Sequence, residues 1–111
     1  MKKGGGGFIV NIASLAAINA VRGAAYNASK FGLLGLSDAA MLDLRHDGIR
    51  IAAILPGSVQ TGVLDSHARH ARAPGCFSPT TWRGRSAISC AIPDRAIPSR
   101  LDLRPSHPPK K

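Results

Sequence analysis

Two short, nearly continuous apolar runs flank one helix-length segment, and that order restricts the fold more than any other feature of the chain. The first run, FIVNIAS at residues 8–14, and the second, IRIAAIL at residues 49–55, are rich in Ile, Val and Ala and show little polar alternation. Strands of that composition suit a parallel sheet buried on both faces. Between the runs, Phe31, Leu34, Met41 and Leu42, with Leu44 beyond, recur at helical spacing across residues 24–46. Leu33, Leu36, Ala40 and Leu44 are expected on the face that meets the sheet. Arg45 and His46 sit where the helix dipole favours cations, Asp47 and Gly48 make a helix stop, and Pro56 and Gly57 end the second strand. Neighbouring parallel strands need a crossover, and the helix supplies one in a right-handed strand–helix–strand unit.

The rest of the chain has a different character. A length of 111 residues suits one ordinary domain. Up to Asp65 there are six Lys or Arg against four Asp, whereas from Ser66 onward there are nine against two. Residues 1–65 are therefore expected to form the folded unit and residues 66–98 an irregular basic segment. Residues 99–111 are expected to hold one edge strand, in SRLDLRP at 99–105, and a terminal tail. A basic tail can meet nucleic acid or an anionic surface, but charge alone carries that reading here, and a solvated segment is expected instead. Trp82 beside Arg83 and Arg85 lacks the interleaved aromatics of a base-stacking platform. His67, His70, Cys76 and Cys90 lack the paired spacing of a zinc site, so no metal is expected. No apolar run is long enough to span a bilayer, and Cys76 and Cys90 read as free thiols of a cytoplasmic protein.

The chemistry concentrates in YNASK at residues 26–30. Tyr26 and Lys30 are four positions apart, one turn along the same helix face. In open α/β sheets ligands bind beyond the carboxyl ends of the strands. Ser14 closes the first strand, Pro56 and Gly57 close the second, and the helix between them begins near Tyr26. One crevice edged by Ser14, Tyr26 and Lys30 is suited to acid–base work on an alcohol or a carbonyl. A lysine cation near a phenol favours the phenolate and so the transfer of its proton. A serine hydroxyl can steady charge developing on the same substrate oxygen.

In this order NIAS with Ser14, YNASK with Tyr26 and Lys30, and PGSVQT with Pro56, Gly57 and Thr61 resemble the catalytic half of the short-chain dehydrogenase/reductase family, from Gly7 to about Leu64. The resemblance implies an α/β fold that is part of a Rossmann-like, doubly wound parallel sheet. It implies an oxidoreductase dependent on NAD or NADP that interconverts a small-molecule alcohol and carbonyl. Ser14 and Tyr26 would face the substrate oxygen, with Tyr26 as acid–base, and Lys30 would also hold the nicotinamide ribose. Cofactor contacts would fall to Tyr26, Lys30, Pro56, Gly57, Val59 and Thr61. The resemblance further implies a homo-oligomer formed through the helix, and neither membrane nor nucleic acid as partner.

The departures raise a competing expectation. No glycine-rich turn precedes a helix, and the glycines at 4–7 lead into a strand, where they cannot cradle a phosphate. The family's Asn-Asn-Ala-Gly element and catalytic asparagine are absent, and the Ser14-to-Tyr26 gap is about one position short. Such domains run to about 250 residues, so the chain is alternatively expected to be a truncated, inactive fragment lacking the cofactor-binding half. Residues 77–93, read through synonymous codons one nucleotide earlier, yield an amphipathic helix with Pro and acidic residues in its first turn. Residues 93–105 match a family C-terminal strand without any shift. Residues 66–92 are therefore expected to be a frameshifted translation.

Overall fold

The computed structural model describes residues 1–59, 96 and 98–104. Strand β1 (Gly7–Ile12), helix α1 (Ala24–Leu44), strand β2 (Ile49–Pro56) and strand β3 (Arg100–Leu103) follow in chain order. Single 3-10 turns lie at Lys2–Gly4, Leu15–Ala17 and Arg45–Asp47. Thr61, His67, His70, Cys76, Trp82, Cys90 and most of the segment 66–98 lie outside the described residues.

Among the described residues β1 pairs with β2 and β2 with β3, both parallel, in the order β1–β2–β3. Gly7 pairs with Ile49 and Ile12 with Ile54, while Ala53 pairs with Arg100 and Pro56 with Leu103. Proline has no N–H to give the ladder, and the next residue takes over: the Gly57 N–H donates to the Leu103 carbonyl at 2.9 Å. The α/β strand–helix–strand core of a Rossmann-like fold is therefore present.

Central position explains the composition of β2. With neighbours on both sides, its residues are buried from Ile51 to Pro56, and Ile54 and Leu55 are 0% exposed. β1 is different from the expectation of burial on both faces: its residues are only partly buried and Ile12 is 41% exposed. Among the described residues β1 has a single strand neighbour, so one of its edges is without a described partner.

The core between sheet and helix is small. Ala13, Ala17, Ala53 and Leu55 form its buried centre, and Leu15, Ile18, Leu33 and Leu34 pack against it. Alanine on the sheet lets α1 approach closely. The buried side of α1 follows Leu33, Leu34, Ser37, Ala40, Met41 and Leu44, at offsets of three and four. Leu36 was expected on that side but is 62% exposed. At roughly 100° per residue it lies about a quarter-turn or more from the centre of the buried face. Phe31 and Leu42 likewise fit the helical period yet point outward, being exposed together on the far side.

Helix α1 ends close to the expected stop. A 3-10 turn at Arg45–Asp47 tightens the last turn, and Gly48 reverses the chain with φ 70°, a left-handed conformation that costs a glycine little. The reversal brings Gly48 against the start of β1, where a Cβ on Gly6 would collide with the Gly48 carbonyl oxygen. The expected cost of Leu55→Ala is about 2–5 kcal/mol, from lost burial and the cavity left behind. Leu42→Ala should stay within about 1 kcal/mol. Urea unfolding followed by circular dichroism measures both.

Candidate active site

Parallel pairing puts the carboxyl ends of β1 and β2 at the same edge of the sheet, and the crossover returns α1 so that its first turn starts there. A cleft of about 460 Å³ opens at that edge. Its wall is built by Ser14, Leu15 and Ala16 after β1, by Val21 before α1 and Tyr26 in its first turn, and by Gly57, Ser58 and Val59 after β2. The volume lies in the range of small-molecule sites.

Ser14 is held by a local cap. Its Oγ accepts from the Ala16 N–H at 3.1 Å, and its carbonyl accepts from the Ala17 N–H at 2.9 Å, so it anchors the 3-10 turn at Leu15–Ala17. A hydroxyl has one donor and two acceptor positions. The cap uses one acceptor and leaves the proton available to a ligand oxygen.

Tyr26 lies in the first turn of α1, 48% exposed. Lys30 follows one turn later with its Nζ 5.7 Å from the Tyr26 ring centroid, within cation–π range. The same ammonium donates to the Ile12 carbonyl at 3.4 Å. Lys30 is thereby tied both to the end of β1 and to the tyrosine ring. An ammonium has three donors, and the Ile12 bond occupies one.

A second polar bridge fixes the helix on the sheet. Asn11 Nδ2 donates to Ser37 Oγ at 2.9 Å, and Ser37 Oγ donates to the Leu33 carbonyl at 2.7 Å. Ser37 is only 3% exposed, and the relay satisfies its hydroxyl in both directions. Asn11 precedes Ser14 by three residues on the same segment, so this bridge helps set where Ser14 stands relative to α1.

Of the residues expected at the site, Ser14, Tyr26, Gly57 and Val59 meet on one cleft, and Lys30 stands beside Tyr26. Pro56 is buried at the end of β2, beneath Gly57 rather than on the wall. Thr61 is outside the described residues. Ser58 belongs to the PGSVQT stretch expected there, Leu15, Ala16 and Val21 were missed as wall residues, and Asn27 was missed altogether. Asn27 Oδ1 accepts from the Val21 N–H at 2.8 Å, and its Nδ2 donates to the Val21 and Gly23 carbonyls at 2.6 and 2.7 Å. The habit of asparagine of bonding nearby backbone was the available signal.

The parallel sheet, the crossover helix and a cleft at the strand ends define an α/β protein of Rossmann-like architecture. The family model for short chain dehydrogenase matches residues 1–72. The chain belongs to the short chain dehydrogenase family. It is 37% identical over 83 residues to the short chain dehydrogenase adrF of Penicillium rubens, covering 74% of this chain and 29% of that protein. It is 45% identical over 64 residues to 3beta-hydroxysteroid dehydrogenase 2 of Eggerthella lenta, covering 57% of this chain and 25% of that one. Among solved structures it is similar to a 7α-hydroxysteroid dehydrogenase complexed with NADH and 7-oxo glycochenodeoxycholic acid. That match has a TM-score of 0.78 and 25% identity, and covers 97% of this chain and 47% of the other. The chain thus spans between a quarter and a third of the length of these curated relatives.

Ser37→Ala strands the Asn11 amide and should cost about 1–3 kcal/mol, the penalty of leaving a partly buried donor unsatisfied. Adding Asn11→Leu should recover part of that loss, and denaturant unfolding of both variants provides the measurement.

Proposed function

We propose that the protein is an NAD(P)-dependent oxidoreductase of the short-chain dehydrogenase type, interconverting a small-molecule alcohol and a carbonyl with Tyr26 as acid–base. The observation that carries the reading is the shared cleft of Ser14, Tyr26 and Val59, with the Lys30 ammonium beside the tyrosine ring. Family membership and the NADH bound by the solved relative support a nicotinamide cofactor.

The residues present fit the nicotinamide end of such a cofactor. Tyr26, Lys30, Gly57 and Val59 would hold it, and the sequence offers Thr61 as a further contact. When bound, the nicotinamide supplies the hydride for reduction and takes it in oxidation. In the reducing direction Tyr26 gives its phenolic proton to the carbonyl oxygen as the carbon becomes reduced, and in the oxidising direction it takes that proton back. The Lys30 ammonium stands 5.7 Å from the centroid of the Tyr26 ring. Among the described residues one Lys30 donor is engaged, by the Ile12 carbonyl, and another would bind a sugar hydroxyl. The Ser14 hydroxyl donates to the same substrate oxygen and stabilises the negative charge that grows there.

Two features of the reading concern the whole protein. Phe31 and Leu42 leave an apolar strip on the outer side of α1, which supports a homo-oligomer formed through that helix. A cytoplasmic enzyme is part of this reading, with Cys76 and Cys90, which lack CxxC spacing, as reduced thiols. No helix among the described residues is long and apolar enough to cross a membrane.

A second reading, that this chain by itself is catalytically silent, rests on a different observation. Among the described residues, the glycines at 4–7 lead into β1 and not into a helix N-terminus. The diphosphate end of a dinucleotide therefore lacks its usual cradle there.

One comparison separates the readings. The full chain is incubated with NADH or NADPH and cyclohexanone, and loss of nicotinamide fluorescence is followed for wild type and Tyr26→Phe. The primary reading predicts turnover that falls by about 10²–10⁴-fold in the variant, the range contributed by a positioned acid–base. Equal rates would overturn it, and no turnover in either protein favours the silent chain. Ser14→Ala should lower the rate by about 10²–10³-fold through loss of one oxyanion donor, with an unchanged circular dichroism spectrum.

A further inference from the structure

We propose that Asn27 is a positioning residue that holds Val21 in place as the cleft wall met by the carbon frame of the substrate. This rests on the alcohol–carbonyl reading above and assigns a role to residues that reading does not use.

The contacts are specific. Asn27 engages Val21 twice, taking its N–H at 2.8 Å and giving a hydrogen bond to its carbonyl at 2.6 Å. The side-chain amide thus meets the Val21 backbone as a neighbouring strand would. Because the Val21 N–H can only donate, Oδ1 must face it, which fixes the orientation of the amide. The second Nδ2 hydrogen goes to the Gly23 carbonyl at 2.7 Å. That carbonyl also accepts the Asn27 backbone N–H at 3.0 Å, the first bond of α1.

The clamp answers a local weakness. Gly23 is the residue before α1, with φ 107°, and its position provides no side-chain cap for the helix start. A glycine there lets the preceding loop swing about the helix end. Val21 is 54% exposed, so burial alone does not hold it. Helix initiation would need only the bond to Gly23. The two bonds to Val21, which lies outside the helix, go beyond that need. Their effect is to fix a wall residue relative to Tyr26, which is the next residue before Asn27 and lines the same cleft. An aliphatic side chain held at a set distance from the reacting oxygen limits how wide a substrate can be.

Amide hydrogen exchange on the full chain, resolved by NMR, tests the clamp without requiring turnover. Asn27→Ala should speed exchange at Val21 by about fivefold or more, the worth of one net hydrogen bond, while amides in β2 keep their protection. If Asn27 only initiates the helix, exchange at the Asn27 amide in the first turn of α1 will rise while exchange at Val21 stays unchanged. That result, or unchanged exchange at both amides, overturns the proposal. Asn27→Ser, too short to reach Val21, replaces the alanine variant should that one not fold, and global unfolding of every variant also overturns it.

The wall is tested by titrating cyclohexanone into the same samples. Val21 methyl and Tyr26 ring signals should both shift in wild type, and the Val21 response should shrink by at least about half in Asn27→Ala. A shift at Tyr26 without one at Val21 refutes the wall and leaves the alcohol–carbonyl reading standing. Silence at both refutes the carbonyl site and the wall with it.

Discussion

Parallel pairing of β1 with β2 is the constraint from which the site follows. Antiparallel neighbours can be joined by a tight turn, but parallel ones require a long crossover, and here that crossover is α1. The register from Gly7↔Ile49 to Ile12↔Ile54 brings both carboxyl ends to one edge, and the Ala13 N–H extends the pairing to the Ile54 carbonyl at 2.8 Å. A helix returning across the sheet has its N-terminus at that edge. Ser14, Tyr26 and Gly57, far apart in sequence, therefore meet because of topology.

Side-chain bonds to backbone then set the finer geometry. Lys30 is tied to the Ile12 carbonyl, Ser14 to the Ala16 N–H and Asn27 to Val21 and Gly23. Each is individually modest, on the order of 1 kcal/mol net for an ordinary bond. Their shared location matters more than their sum. The small alanine-lined core beneath them lets α1 lie close to β2, and the Asn11–Ser37 bridge opposes sliding of the helix on the sheet. Stability and site geometry thus draw on the same few contacts.

Much of this was legible in the sequence, for identifiable reasons. The apolar runs became strands and the helical period became α1, because burial on a sheet leaves a periodic record. Gly48 ended the helical region as expected, since a left-handed reversal there favours glycine. The spacing of Tyr26 and Lys30 implied one shared helix face, and the structure has the Lys30 ammonium beside the Tyr26 ring. Leu36 was misread because the apolar residues of α1 do not all share one face, and pattern counting does not say which set meets the sheet. The partial exposure of β1 was missed because composition does not reveal how many neighbours a strand has. Asn27 and Val21 were missed for a different reason: the Asn27 side chain bonds the Val21 backbone, which leaves no trace in the choice of side chain at position 21.

The central claim is that the cleft at the strand ends holds a nicotinamide beside Tyr26. Its most direct measurement compares the dissociation constants of NADH and of reduced nicotinamide mononucleotide for the full chain, with the Tyr26 ring resonances followed in each titration. The account predicts that the mononucleotide binds within about tenfold, or 1.4 kcal/mol, of NADH, because the described contacts lie at the nicotinamide end. Both ligands should shift the Tyr26 signals. Binding of NADH alone, with the Tyr26 signals unmoved, would place recognition at the adenosine end and contradict the account.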